Sequence, residues 1–193
     1  MLGLKLRTDP RWVDLIENNL EMVLSDHAWC EKKAASNAIA LLTYNSHLDD
    51  LVDTMTAIAI EEMQHFDMVI KIIRDRGYNL LMEEKDCYVN ELYKFMKKDG
   101  SRTQALSDRL LFAAMVEARS CERFKTLSEN IKDEELAKFY RDLMVSEANH
   151  YTTFLNFARK YGSDVDVEKR WQEWLEYEDQ VIQNYGKKET VHG

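Results

Sequence analysis

The sequence predicts an all-α chain: a bundle of four long helices with one long crossover, accompanied by short additional helices. Three observations predict it. Only one Pro and six Gly occur in 193 residues, which disfavours a turn-rich β fold and leaves room for long uninterrupted helices. Apolar residues recur at steps of three and four along four separate stretches, the period of a helix face. Capping and stop residues bound those stretches. The composition, 45% hydrophobic and 32% charged, is that of a globular chain, and its length suggests a single domain over residues 1–193.

Taken in order, Asp9-Pro10 reads as an N-cap followed by Pro at the first helical position. The short helix it opens falters near Asn18-Asn19. A long helix covers residues 20–44 and is broken at Asn45-Ser46. A second covers 48–76, with Gly77 as its C-terminal stop. A long connection, 78–102, carries a short amphipathic helix over 88–98, ended by Asp99-Gly100. The third long helix spans 103–130. Asp133 caps the fourth, which runs to Tyr161 and stops at Gly162. A last helix, 165–185, carries Trp171 and Trp174, and the tail 187–193 is expected to be disordered. Two helical hairpins joined by one long crossover make the ferritin-like arrangement, with its core bundle over about residues 20–161.

Charge and cysteine content narrow the function. The net charge of −9 argues against a large nucleic-acid surface, because phosphate binding needs clustered Lys and Arg. Local basic patches remain: Lys32-Lys33, Lys97-Lys98 with Arg102, and Arg119 with Arg123. Each taken alone is an ordinary solvated helix face. No run reaches the roughly 18 apolar residues that span a membrane, and the N-terminus lacks the apolar stretch of a signal peptide. Cys30, Cys87 and Cys121 are an odd number without a CxxC, which reads as free thiols in a reducing, cytoplasmic setting.

The chemistry lies in the helical stripes. Residues 48–76 present Leu51, Met55, Ile58, Glu62, His65, Val69 and Ile72. Residues 133–161 present Leu136, Tyr140, Leu143, Glu147, His150, Phe154 and Phe157. Each stripe carries a Glu-x-x-His pair at mid-helix, and i,i+3 places both side chains on one face. The other two helices each supply one inward glutamate: Glu31 among Leu20, Leu24, His27, Ala34, Ala38 and Leu41, and Glu117 among Leu106, Leu110, Ala113, Cys121, Phe124 and Leu127. Glu31 and Glu62 are 31 residues apart and Glu117 and Glu147 are 30, so each pair lies at one depth in its hairpin. Glu122 is the rival on the third helix. It falls off the stripe and is misplaced by about 7 Å at 1.5 Å rise per residue.

One Glu from each of two helices and a Glu-x-x-His from each of the others is the di-iron or di-manganese carboxylate pattern. Four converging carboxylates without cations would cost an amount comparable to a whole domain's stability, about 5–15 kcal/mol. Oxygen-rich ligation with two imidazoles suits iron or manganese over a thiolate metal. His27, one turn before Glu31, reads as a packing or supporting residue, and Cys30 and Cys121 as small core filler. His47 in the first hairpin's turn carries no role. A third match, Glu189 to His192, lies in the tail with no helix pair to complete it.

The stretches Ser25-Asp26-His27-Ala28-Trp29-Cys30-Glu31-Lys32-Lys33-Ala34-Ala35, Glu61-Glu62-Met63-Gln64-His65-Phe66, Glu117-Ala118-Arg119-Ser120-Cys121-Glu122-Arg123-Phe124 and Ser146-Glu147-Ala148-Asn149-His150-Tyr151 resemble the MiaE family of di-iron tRNA hydroxylases. The resemblance covers roughly residues 20–160 and is most specific from Glu117 to Phe124. One departure is the 45–47 turn, which is shorter than the corresponding turn in that family. The resemblance implies Glu31, Glu62, His65, Glu117, Glu147 and His150 as ligands of two irons, the same six the stripes select. It also implies O2 as co-substrate, an unidentified electron donor, and the anticodon loop of tRNA as partner. The expected reaction hydroxylates the isopentenyl group of 2-methylthio-isopentenyl-adenosine. With that partner, Arg119 and Arg123 become the expected RNA contact. The competing expectation is iron oxidation or peroxide reduction in the manner of ferritins and rubrerythrins; the rubredoxin module of a rubrerythrin has no counterpart here.

Overall fold

In the computed structural model, which describes residues 2–97 and 100–185, the elements are seven helices: α1 (Trp12–Asn18), α2 (Leu20–Tyr44), α3 (Asp49–Asp75), α4 (Cys87–Phe95), α5 (Arg102–Asn130), α6 (Glu134–Tyr161) and α7 (Val167–Tyr185). No strand occurs among the described residues. The expected Lys98 and Asp99 positions, the tail from Lys187 and the Glu189–His192 match lie outside the described residues. No helix is long and apolar enough to cross a membrane among the described residues.

Local chemistry explains the boundaries. The Asp133 side chain accepts N–H groups from Glu135 (3.1 Å) and Leu136 (3.0 Å), satisfying donors that the first turn leaves free. Asp86 does the same for α4 through Val89 N–H at 2.8 Å. Ser101 and Gln104 form a reciprocal capping box at the start of α5, one residue ahead of the expected start. Gly77 has φ +71°, and the Tyr78 N–H reaches back to Ile73 O at 3.0 Å. That is the left-handed stop for which glycine has no Cβ penalty. At the N-terminus, Asp9 caps Arg11 N–H at 3.0 Å and the helix itself begins at Trp12, two residues after Pro10.

The chain separates into two units. The first, residues 18–85, is the hairpin of α2 and α3. Its buried apolar positions include Val23, Leu24, Ala28, Ala38 and Leu41 on α2, and Leu51, Met55, Ile58, Val69 and Ile73 on α3. Two stripe positions are shifted by one residue: Ala35 is buried and Ala34 only half-buried, and Ile73 replaces Ile72. An ideal helix drifts against any fixed repeat.

The second unit holds the N-terminal segment and α4 to α7. Here α5 and α6 form the second hairpin, with α7 packed on α4 and α5. Phe124 meets Tyr140 at 5.4 Å, and Phe95 stacks on Tyr177 at 4.3 Å and abuts Trp174 at 5.0 Å. From Ser107 to Ser128, every residue of α5 except Arg109, Val116 and Lys125 is buried. A helix covered on several sides buries residues that a single-stripe reading would leave outside.

Candidate metal centre

The first hairpin brings Glu31, Glu62 and His65 together. Each offers a ligand atom within 4.8 Å of the others', and all three are buried. His65 Nδ1 lies 3.4 Å from Glu62 Oε2 and 3.7 Å from Glu31 Oε2. His27, fully buried, bonds Glu31 Oε1 through Nε2 at 2.6 Å. Burial by itself would raise the Glu31 pKa. The bonds from His27 and His65 outweigh it and hold the carboxyl well below its usual range. Burial likewise works against charge on His65, and the Glu31 and Glu62 carboxylates overcome it, pushing its pKa up to about 10. The two carboxylates thus bring negative charge together, and a cation, a proton on His65 or a metal ion, offsets it.

The second hairpin repeats the composition. Glu117 on α5 and Glu147 and His150 on α6 offer ligand atoms within 4.8 Å of one another, and all are buried. Glu147 and His150 share a face through their i,i+3 spacing. Each hairpin thus holds a buried Glu–Glu–His donor set. Two carboxylates and an imidazole fit a hard or borderline divalent ion, iron or manganese among them, and removal from water makes a compensating cation necessary.

Glu122 is buried too, contrary to its place off the stripe, but its partners are different. It accepts the Thr8 N–H at 2.9 Å, the Thr8 hydroxyl at 2.7 Å and Arg119 Nη1 at 2.8 Å. Those bonds occupy both carboxylate oxygens.

The expected RNA contact at Arg119 and Arg123 is corrected by the structure. Both side chains are fully buried. Arg119 donates to Glu178 Oε1 at 2.8 Å from Nε and to Leu6 O at 3.1 Å from Nη2, besides its bond to Glu122. Arg123 lies over the Trp12 ring, 4.5 Å from its centroid. Burial first, and the Arg119 charge next, lower the Arg123 pKa to about 10. The two guanidiniums tie α5 to α7 and the N-terminal segment and offer nothing to phosphate. Their acidic partner Glu178 had a legible signal: it interrupts the apolar stripe Trp171, Trp174, Leu175, Val181, Ile182 of α7, all buried. Tyr88 also donates to it, at 3.1 Å. Of the remaining basic candidates, Lys97 is exposed and lines a cavity shared with Asp108, Asp164, Asp166 and Glu173. Lys32 and Lys33 are half-exposed on α2.

Comparison with known proteins finds relatives along the length of the chain. The family model described as tRNA-(MS2IO6A)-hydroxylase (MiaE) matches residues 2–193. A tRNA 2-(methylsulfanyl)-N(6)-isopentenyladenosine(37) hydroxylase of Pseudomonas putida is 38% identical over 161 residues, 83% of this chain and 77% of the relative. The protein of the same name from Salmonella typhimurium is 28% identical over 211 residues, 85% of this chain and 77% of that one. Among solved structures, Protein 43 with aldehyde deformylating oxygenase activity from Synechococcus superposes with a TM-score of 0.90 at 27% identity, over 99% of this chain and 96% of its own. The all-α, ferritin-like fold class expected from the helix order is borne out.

Proposed function

The chain belongs to the MiaE family, and from that premise we propose that it is a tRNA-modifying monooxygenase that hydroxylates the isopentenyl group of 2-methylthio-isopentenyl-adenosine in the anticodon loop. The net reaction replaces one C–H by C–OH, consumes O2, two electrons and two protons, and releases water. The electrons come from a donor protein or small reductant.

The family match across residues 2–193 is the observation that carries the substrate. The pair of buried Glu–Glu–His triads supports the chemistry. We assign Glu31, Glu62, His65, Glu117, Glu147 and His150 as the ligands of a di-iron centre, following the carboxylate pattern of two Glu-x-x-His pairs and two further glutamates. Iron bound there would supply O2 activation, the step no side chain can perform. The protein's part is different. The six ligands hold their positions on four rigid helices, and His27 fixes the Glu31 carboxylate by its 2.6 Å bond. Glu62 and Glu147 are buried, so exchange with bulk water is limited. The setting is cytoplasmic, where charged and modified tRNA is found.

The test is direct. Iron-loaded, chemically reduced protein is incubated with O2 and tRNA carrying 2-methylthio-isopentenyl-adenosine, then the tRNA is digested and its nucleosides weighed by mass spectrometry. Gain of one oxygen on the isopentenylated nucleoside is expected. Its absence, with rapid turnover of ferrous iron or peroxide, would replace this function by iron oxidation or peroxide reduction.

A further inference from the structure

With Arg119 and Arg123 buried, the chain needs another cationic surface to meet RNA, and the segment that leaves α3 points to one. Residues 79–83 lie along α2 as an extended strap, held at successive turns. Glu21 Oε1 accepts the Asn79 N–H at 2.8 Å. Ser25 Oγ accepts the Leu81 N–H at 3.0 Å. The Trp29 indole N–H donates to Leu81 O at 2.9 Å. Lys32 Nζ donates to Glu83 Oε2 at 2.6 Å, and Lys33 Nζ lies 3.6 Å from Glu83 Oε1. Glu21, Ser25, Trp29 and Lys33 follow one another at i,i+4 and so form a single stripe.

The end of this strap has the chemistry of an occupied anion site. One carboxylate bridges two ammonium groups, and the Lys32 ammonium also sits 5.4 Å from the centroid of the Trp29 ring. Trp29 leans on Phe66 at 6.0 Å. A lysine pair beside a large aromatic ring is the combination by which proteins hold single-stranded RNA, charge on the backbone and stacking on a base. The location fits as well. Lys32 and Lys33 directly follow Glu31, and Phe66 directly follows His65, so this surface adjoins the first triad. The Lys32–Glu83 pair is about one-third exposed on both sides, and an ion pair so exposed is easily exchanged, while the Lys33 ammonium itself is shielded from solvent.

We propose that Trp29, Lys32 and Lys33 form the surface that receives the anticodon-loop backbone of the substrate tRNA, and that Glu83 is an internal anion occupying the lysine pair until an RNA phosphate displaces it. This rests on the tRNA-hydroxylase function above. RNA binding then exchanges one anion for another at the lysines and frees the strap's far end, while the Glu21 and Ser25 bonds keep its near end in place.

The experiment uses the full-length iron-loaded chain and tRNA carrying 2-methylthio-isopentenyl-adenosine, with Kd measured by filter binding across a salt series and with steady-state KM and bound iron determined alongside. Replacing both lysines, Lys32→Ala with Lys33→Ala, is expected to weaken binding about tenfold at low salt. It should also flatten the slope of log Kd against log salt by about 0.7, the share of one phosphate contact on a single strand. The loss should fall on KM while bound iron and melting temperature stay at the wild-type level. Glu83→Gln is expected to tighten binding several-fold in the wild-type background and to change nothing once both lysines are alanine. An unchanged Kd and salt slope in the double-lysine variant, with wild-type protein still binding and hydroxylating the tRNA, would overturn the surface. A Glu83→Gln variant that binds no tighter would overturn the internal-anion role. Failure of the wild-type chain itself to bind this tRNA would strike the function, a result separable from both.

Discussion

Arg119→Met separates an internal tie from an RNA contact. The guanidinium is fully buried and bonded to two buried carboxylates, Glu178 and Glu122, and to the Leu6 carbonyl. Methionine fills a similar volume, so the cost is not chiefly a cavity. What the substitution leaves is two carboxylates out of water without their cation. Breaking a buried pair from one side costs about 3–5 kcal/mol. At roughly 2–4 °C per kcal/mol for a chain of this size, the melting temperature should fall by about 10 °C. Adding Glu178→Gln and Glu122→Gln removes the stranded charges and should recover much of that loss, because groups in one network are not additive. The assay is thermal unfolding followed by circular dichroism, with tRNA binding measured in parallel below the transition. A variant that melts within about 2 °C of wild type while losing tRNA affinity and salt dependence would refute the reasoning, since only an exposed guanidinium behaves that way.

Other expectations follow from the same geometry. Glu62→Ala and Glu147→Ala should each bring bound iron, measured by metal analysis, from about two per chain to less than one; full retention in both would dismiss the assigned ligands. His27→Phe should weaken iron binding by about 10–100-fold in a competitive chelator titration, as loss of a ligand's supporting bond does, whereas His27→Gln, which keeps a donor near Nε2, should hold most of it. Gly162→Ala should destabilise the chain by about 1–3 kcal/mol in a denaturant melt. A Cβ there would stand 2.6 Å from Ala158 O and Val167 Cγ2. At pH 8 in native protein, iodoacetamide should label the half-buried Cys30 and Cys87 and spare Cys121. Burial, with the Glu117 and Glu122 charges adding to it, pushes the Cys121 thiol up to about 12. Peptide mass spectrometry reads the difference.

The helix order, both hairpins and the two triads were legible before any coordinate. Helix boundaries follow from local chemistry, as at Asp133 and Gly77, where one side chain or one missing Cβ sets the end. The triads were legible because i,i+3 and i,i+4 spacing is a property of the helix itself. A glutamate or histidine in the middle of an apolar stripe, as at Glu62 and His65, is conspicuous without knowing what it faces.

What the sequence alone determined is therefore whatever depends on one helix and its own period: the four long helices, their caps, and the inward position of Glu31, Glu62, His65, Glu117, Glu147 and His150. What only the tertiary structure decided is whatever depends on how many neighbours a helix has. Periodicity describes a helix with one covered face, and α5 is covered on several. Arg119, Glu122 and Arg123 therefore went inside, stabilised there by Glu178, Thr8 and Trp12 from distant parts of the chain. The strap over α2 was equally unreadable, since its bonds join residues more than fifty positions apart. Charge burial is a pairwise property of remote residues, and no local pattern encodes the partner.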